Sequence, residues 1–131
     1  MKYTLLITFL TGILFFTSCN TEESLKENIA FTYGYITDFN HKRYGNPSQT
    51  RFKYYVGNKS RTLAFYNSMY CYSSNHKKRE ILRKIPIIVA YDSTNVEIGR
   101  PLITKQAMKN YNYELPDSLK PMYEKYIFRC Q

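Results

Sequence analysis

Thr50-Arg51-Phe52-Lys53-Tyr54-Tyr55-Val56-Gly57-Asn58-Lys59-Ser60-Arg61-Thr62-Leu63-Ala64-Phe65-Tyr66 is the stretch on which the fold turns. Side chains along a strand point alternately to opposite faces. Phe52, Tyr54 and Val56 therefore face one way, and Arg51, Lys53 and Tyr55 the other. After the short Gly57-Asn58-Lys59 turn, Ser60 to Tyr66 returns with Leu63 and Phe65 on one parity. Two alternating runs around a Gly-containing turn read as a β-hairpin.

Working outward, Phe31 to Phe39 is a further strand, with Phe31, Tyr33, Tyr35 and Phe39 on one parity and Gly34 and Ile36 on the other. A glycine inside a strand signals a bulge or a bend, and Gly34 marks one here. Asp38 to Ser48 is polar and rich in turn residues, and reads as a loop. Downstream, Lys and Arg residues with Glu80 and Leu82 favour a short basic helix over His76 to Lys84, with Ser74 as its cap. A loop is the alternative there. Ile85 to Tyr91 is short, apolar and β-branched, the pattern of a central strand buried on both faces. Val96 to Ile103 reads as the last strand, interrupted by Gly99 and Pro101. Thr104 is the expected N-cap of a short helix to Asn110. A final helical stretch begins near Asp117, with Pro121 in its first turn and Tyr123, Tyr126 and Ile127 facing inward. The fold class is mainly β (α+β): a small antiparallel sheet or partly open five-stranded barrel with a short C-terminal helical tail.

The chain has 131 residues, enough for one small domain, with 14 Tyr, 8 Phe and no Trp. Tyrosine suits half-buried strand faces, where the ring packs and the hydroxyl reaches water. The formal charge of +9 is compatible with affinity for anions, or with the solubility that lysines give a small domain.

Few groups offer chemistry. His41 and His76 have no partner at metal-ligand spacing, so neither a metal nor any other cofactor is expected. A Cys71–His76 nucleophile pair would need a geometry that five residues of polar chain do not supply. The acids of the later half, Asp92, Glu97, Glu114 and Asp117, fall at turns and strand ends, where solvated carboxylates are ordinary. A small hydrolase built on them is the weakest reading, and no catalytic residue is assigned. The five glycines are scattered and form no phosphate-cradling loop. What remains is a basic patch with interleaved aromatics: Lys42, Arg43, Arg51, Lys53, Lys59 and Arg61, with Tyr44 and Tyr55 among them. Oligonucleotide-binding barrels use such surfaces. The bland alternative is a solvated face.

The N-terminus decides the compartment. Lys2 precedes an apolar block from Leu5 to Phe16, then Thr17-Ser18-Cys19 and the polar run Asn20-Thr21-Glu22-Glu23-Ser24. A membrane span needs roughly 20 apolar residues, and this block is shorter. Its length and flanks match a cleavable export signal, the alternative being a buried N-terminal helix or strand. Phe16-Thr17-Ser18-Cys19 resembles the lipobox of bacterial lipoproteins, with Phe16 in place of the usual leucine. The resemblance implies cleavage by signal peptidase II before Cys19 and lipidation of its thiol, and covers only these first residues. It implies residues 1–18 as a cleaved signal, 19–29 as a lipidated cysteine with a polar tether, and 30–131 as the β-rich domain. Asn20 is not the aspartate that retains such proteins at the inner membrane. An outer-membrane location is implied, facing the periplasm or the outside. Two or three acyl chains anchor firmly at about 0.8 kcal/mol per buried methylene.

If Cys19 carries lipid, Cys71 and Cys130 remain. They either pair, closing a loop of roughly 60 residues for on the order of 3–4 kcal/mol, or stay as buried thiols. In that compartment an anionic glycan, a lipid head group or an acidic protein is the expected ligand, and nucleic acid is not. The sequence reading is a lipid-anchored, non-enzymatic envelope protein serving binding or structure, or an inhibitor or immunity-type protein that docks on a toxin or enzyme.

Overall fold

The alternation around Gly57 forms the hairpin it predicts. In the computed structural model, which describes Leu25 and residues 27–40, 49–66 and 75–130, β2 (Gln49–Val56) pairs antiparallel with β3 (Lys59–Tyr66), Phe52 opposite Leu63 and Tyr54 opposite Arg61. Gly57 takes a left-handed φ of 58° at the first linking position, where a type II′ hairpin turn wants glycine. β1 (Ile29–Asn40) lies beside β2, then β4 (Ile87–Asp92), then the short β5 (Gly99–Pro101). The result is one five-stranded antiparallel sheet in the order β3-β2-β1-β4-β5, curled into a half-barrel with a short C-terminal helix.

The curl brings the two sheet edges together. A methyl on Gly99 of β5 would stand 3.2 Å from Leu63 Cδ1 on β3 and 2.9 Å from the Tyr54 hydroxyl. Tyr54 donates its hydroxyl hydrogen bond to the Val96 carbonyl, and Arg61 on β3 pairs with Glu97. The concave face so enclosed takes Ile36, Phe39, Phe52, Tyr54 and Ile87, all buried. It is further closed by α1 (His76–Arg83), which contacts β1 and whose Leu82 is buried. The cap of α1 is Asn75, whose side chain accepts from the Lys78 amide at 3.1 Å. Ser74 lies outside the described residues.

Phe39 corrects the simple parity of β1. It shares odd numbering with Phe31, Tyr33 and Tyr35, yet those three are exposed while Phe39 is buried. The register of β1 on β2 shifts between Ile36 and Asp38, so Thr37 is an extra residue. A bulge of this kind resets which residues face inward. Gly34 is not that bulge. A methyl there would stand 2.9 Å from the Lys53 carbonyl oxygen and 3.1 Å from both Tyr54 Cβ and Val89 Cγ2. Only glycine lets β1 lie this close between its neighbours.

The strand expected over Val96 to Ile103 shortens to Gly99–Pro101. Asp92 diverts the chain before it: its Oδ1 accepts from the Thr94 amide, the Thr94 hydroxyl and the Asn95 amide, an Asx-type turn. After β5 the Leu102 amide still donates to the Ile88 carbonyl, and then the chain leaves. The next free donor on β4, the Ile88 amide, is taken by the buried Tyr123 hydroxyl at 2.8 Å. A tyrosine thus replaces the missing strand residue, because a buried backbone donor must find a partner.

α2 (Lys105–Asn110) begins at Thr104, whose side chain accepts from the Ala107 amide. It ends in a Schellman motif. The Tyr113 amide donates to the Met108 carbonyl and the Asn112 amide to the Lys109 carbonyl, with Asn112 left-handed at φ 49°. The last segment holds α3 (Lys120–Met122), a π-helical turn (Tyr123–Ile127) and a 3-10 turn (Phe128–Cys130). Pro121 sits in its first turn, Tyr123 and Ile127 are buried, and Tyr126 is half-buried. Ahead of β1, Leu25 is buried at 5% exposure and Ile29 already belongs to β1, so the stretch read as a polar tether over 19–29 meets the body at both of these apolar residues. Among the described residues, no helix is long and apolar enough to cross a membrane.

Candidate functional site

β4 is buried on both faces, but β1 and β2 are not. Register places Phe31 opposite Ala90 and Tyr33 opposite Ile88, so these four share the convex face. Ile88 and Ala90 are 1% and 0% exposed, members of the core cluster with Met108, Tyr123 and Ile127. The C-terminal segment therefore covers the β4 half of the convex face and stops at β1. Tyr113, aimed by the Schellman turn, marks that limit, its ring centroid 4.6 Å from that of Phe31. Burial, and then Tyr33 nearby, push the Tyr113 hydroxyl above its ordinary range.

Beyond Tyr113 the face lies open. Phe31, Tyr33 and Tyr35 on β1 and Tyr55 on β2 are 39, 48, 42 and 48% exposed. Tyr35 is opposite Lys53. The same register sets Tyr33 beside Tyr55, whose carbonyl accepts from the Thr32 hydroxyl at 2.8 Å. Lys53 Nζ stands 5.5 Å from the Tyr55 ring centroid, within cation–π range. Arg51, exposed, lies opposite Asp38 at the end of the row. The arrangement offers flat rings on which an apolar or CH-rich surface can stack, with two cations beside them.

The six basic residues singled out in the sequence are divided by this geometry. Arg51 and Lys53 are on the open face. Arg61, opposite Tyr54, belongs to the concave side and is tied to Glu97; Lys59, opposite Val56, shares that parity at the hairpin tip. Lys42 and Arg43 lie outside the described residues, as do Cys19, Cys71, His41 and the Cys130 side chain. The aromatic row on β1 was missed as a site. Its i, i+2 spacing was visible, but only the shared parity of Gly34 and Ile36 with the core could have turned it outward.

Of the four acids, Asp92 is buried and held by its own turn, while Glu97, Glu114 and Asp117 stand largely in solvent, each beside a cation. The Thr94 hydroxyl and amide, with the Asn95 amide, hold the Asp92 carboxyl below its usual range. Glu97 pairs with Arg61, and Lys120 pairs with Asp117 at 2.7 Å, lowering that carboxyl. Among the described residues, no three His, Cys, Asp or Glu side chains gather as a metal site would require. A cleft of about 380 Å³ lies between Lys105, Pro121, Glu124, Lys125, Phe128 and Arg129. Lys105 is committed there, 2.9 Å from Glu124 and 5.5 Å from the Phe128 ring centroid. No family model, curated protein or solved structure matches the chain.

Proposed function

We propose that this is a lipid-anchored, non-enzymatic envelope protein that binds an anionic ligand on the open face of β1 and β2. The observation that carries the binding reading is the half-exposure of four neighbouring aromatic rings beside Arg51 and Lys53. Contiguous exposed apolar surface rimmed by charge marks interaction sites rather than idle surface. The anchor rests on the Leu5 to Cys19 stretch, read as a lipoprotein signal, with an outer-membrane location.

Two experiments test this. Cys19→Ser should abolish acyl labelling and leave an uncleaved precursor; normal processing of that variant would remove the anchor. For the face, the full chain in mild detergent is used to capture ligands from envelope extract, beside a Tyr33→Ser/Tyr35→Ser/Tyr55→Ser variant. The variant should lose what the wild type retains, and identical retention would remove the face from the function. The same composition, aromatic with arginine, is that of protein interface cores. It favours, as a second reading, an inhibitor or immunity-type protein docking on an acidic partner, for which the retained species would be one protein.

A further inference from the structure

The position of the rings along β1 says more about the ligand than their exposure does. Phe31, Tyr33 and Tyr35 follow one another at every second residue of a single strand, so they form a straight row. At about 3.4 Å per residue the row spans roughly 14 Å, longer than a single head group and as long as several linked sugar rings. Tyr55 widens the row at its middle, and Tyr113 ends it on the β4 side by packing on Phe31. Among the described residues, what this face offers is an extended row of rings. It is a track.

The charge on the track is sparse and one-sided. Among the described residues, Lys53 and Arg51 flank it on β2, with Asp38 opposite Arg51. Arg100, opposite Ala90 on β5, stands across β4 and has its own interaction within the fold. A nucleic acid carries one phosphate per nucleotide and needs a cation near most of them to bind tightly. Among the described residues, the two cations along the track do not match that charge density. They do match a polymer that carries occasional carboxylates or sulfates between apolar ring faces. Three of the four rings are tyrosines, whose hydroxyls exchange hydrogen bonds with a hydroxyl-rich ligand as well as with water. We infer that the ligand of this face is an acidic polysaccharide lying along β1, its sugar rings stacked on Phe31, Tyr33 and Tyr35 and an acidic group held by Lys53 and Arg51. This rests on the binding reading above and names its ligand class.

The test uses the full chain in mild detergent with defined probes: hyaluronate, heparosan and gellan, whose carboxylates are separated by one or more neutral sugars, the neutral polymer galactan, oligothymidylate, and vesicles of equimolar phosphatidylcholine and phosphatidylglycerol. At least one acidic polysaccharide should bind, and at least about tenfold more tightly than galactan, oligothymidylate or the vesicles. Tyr33→Ser/Tyr35→Ser and Arg51→Gln/Lys53→Gln should each weaken that binding about tenfold or more. Tyr33→Phe/Tyr35→Phe, which keeps the stacking surface, should retain most of it, and unchanged melting temperatures exclude misfolding. Retention of binding by the serine variant would mean charge alone attracts the polymer, and would overturn the inference. Tighter binding to oligothymidylate, to vesicles or to galactan would overturn it as well, as would failure of all three acidic polymers. In that last case, loss of extract capture by the tyrosine variant would leave the binding face standing and remove only the ligand class.

Discussion

Phe52 and Tyr54 on β2 are wholly buried, whereas Tyr55 beside them and Phe31, Tyr33 and Tyr35 on the neighbouring strand stand roughly half in water. The two sets are the same residue types on the two faces of one sheet. What separates them is coverage. The concave face is closed by the curl of β5 toward β3 and by α1. The convex face is covered only over β4, where the C-terminal segment ends at Tyr113. An aromatic side chain buries 150–250 Å² when enclosed, so each half-exposed ring forgoes about 2 kcal/mol of available burial. Four such rings in one place are a large sacrifice for a small domain, and the ligand surface proposed above would account for it.

The contrast can be broken most severely from the buried side. Gly34→Val would force a branched side chain against the Lys53 carbonyl and Val89 at contacts already near 3 Å for a methyl. It should cost about 3 kcal/mol or more in urea unfolding. Tyr123→Phe comes next. It strands the Ile88 amide in the core and should cost about 2 kcal/mol by the same measurement, although it removes a single oxygen. Tyr54→Phe removes the hydroxyl bond to Val96 that helps hold the curl, and should cost about 1 kcal/mol. A smaller effect belongs to acid. The Asp92 carboxylate is held below its usual range by Thr94 and Asn95, and regains a value near 4 on unfolding. Its stabilisation is complete above about pH 4 and fades as pH falls through the lower, folded value. Asp92→Asn should flatten that acid limb in thermal melts from neutral pH downward. The open face should respond least: Tyr33→Ser and Tyr35→Ser should each shift unfolding by under about 1 kcal/mol. A large loss there would mean that these rings serve the fold and not a ligand.

Much of the architecture was legible in the sequence. The hairpin could be read because alternation and a Gly-containing turn agreed, and the central strand because Ile87, Ile88, Val89 and Ala90 leave no polar face. Thr104 capped a helix as its hydroxyl suggested. The last strand was read too long because the Asp92 turn, a side-chain effect, competes with strand pairing without changing the apolar pattern. The parity of β1 was misleading for a similar reason. Thr37 looks like any strand residue, and only the partner strand reveals that it is extra. The candidate site was legible by half. Arg51 and Lys53 were correctly placed outward with Tyr55, but the rings that line β1 were hidden by the usual habit of tyrosine and phenylalanine to face a core.

The bond from the Ile88 amide to Tyr123 has a consequence for watching this molecule in solution. Most amides in the middle of a sheet are shielded from solvent hydrogen by a neighbouring strand, so their exchange reports on the sheet itself. The Ile88 amide is shielded by a side chain from the last eleven or so residues. Its exchange rate therefore measures a different event, the lifting of the C-terminal segment, while Leu102 bonded to the Ile88 carbonyl measures the sheet edge one atom group away. Two neighbouring amides form an internal clock pair, and a difference between their rates in native exchange would time the undocking of the tail without unfolding the half-barrel.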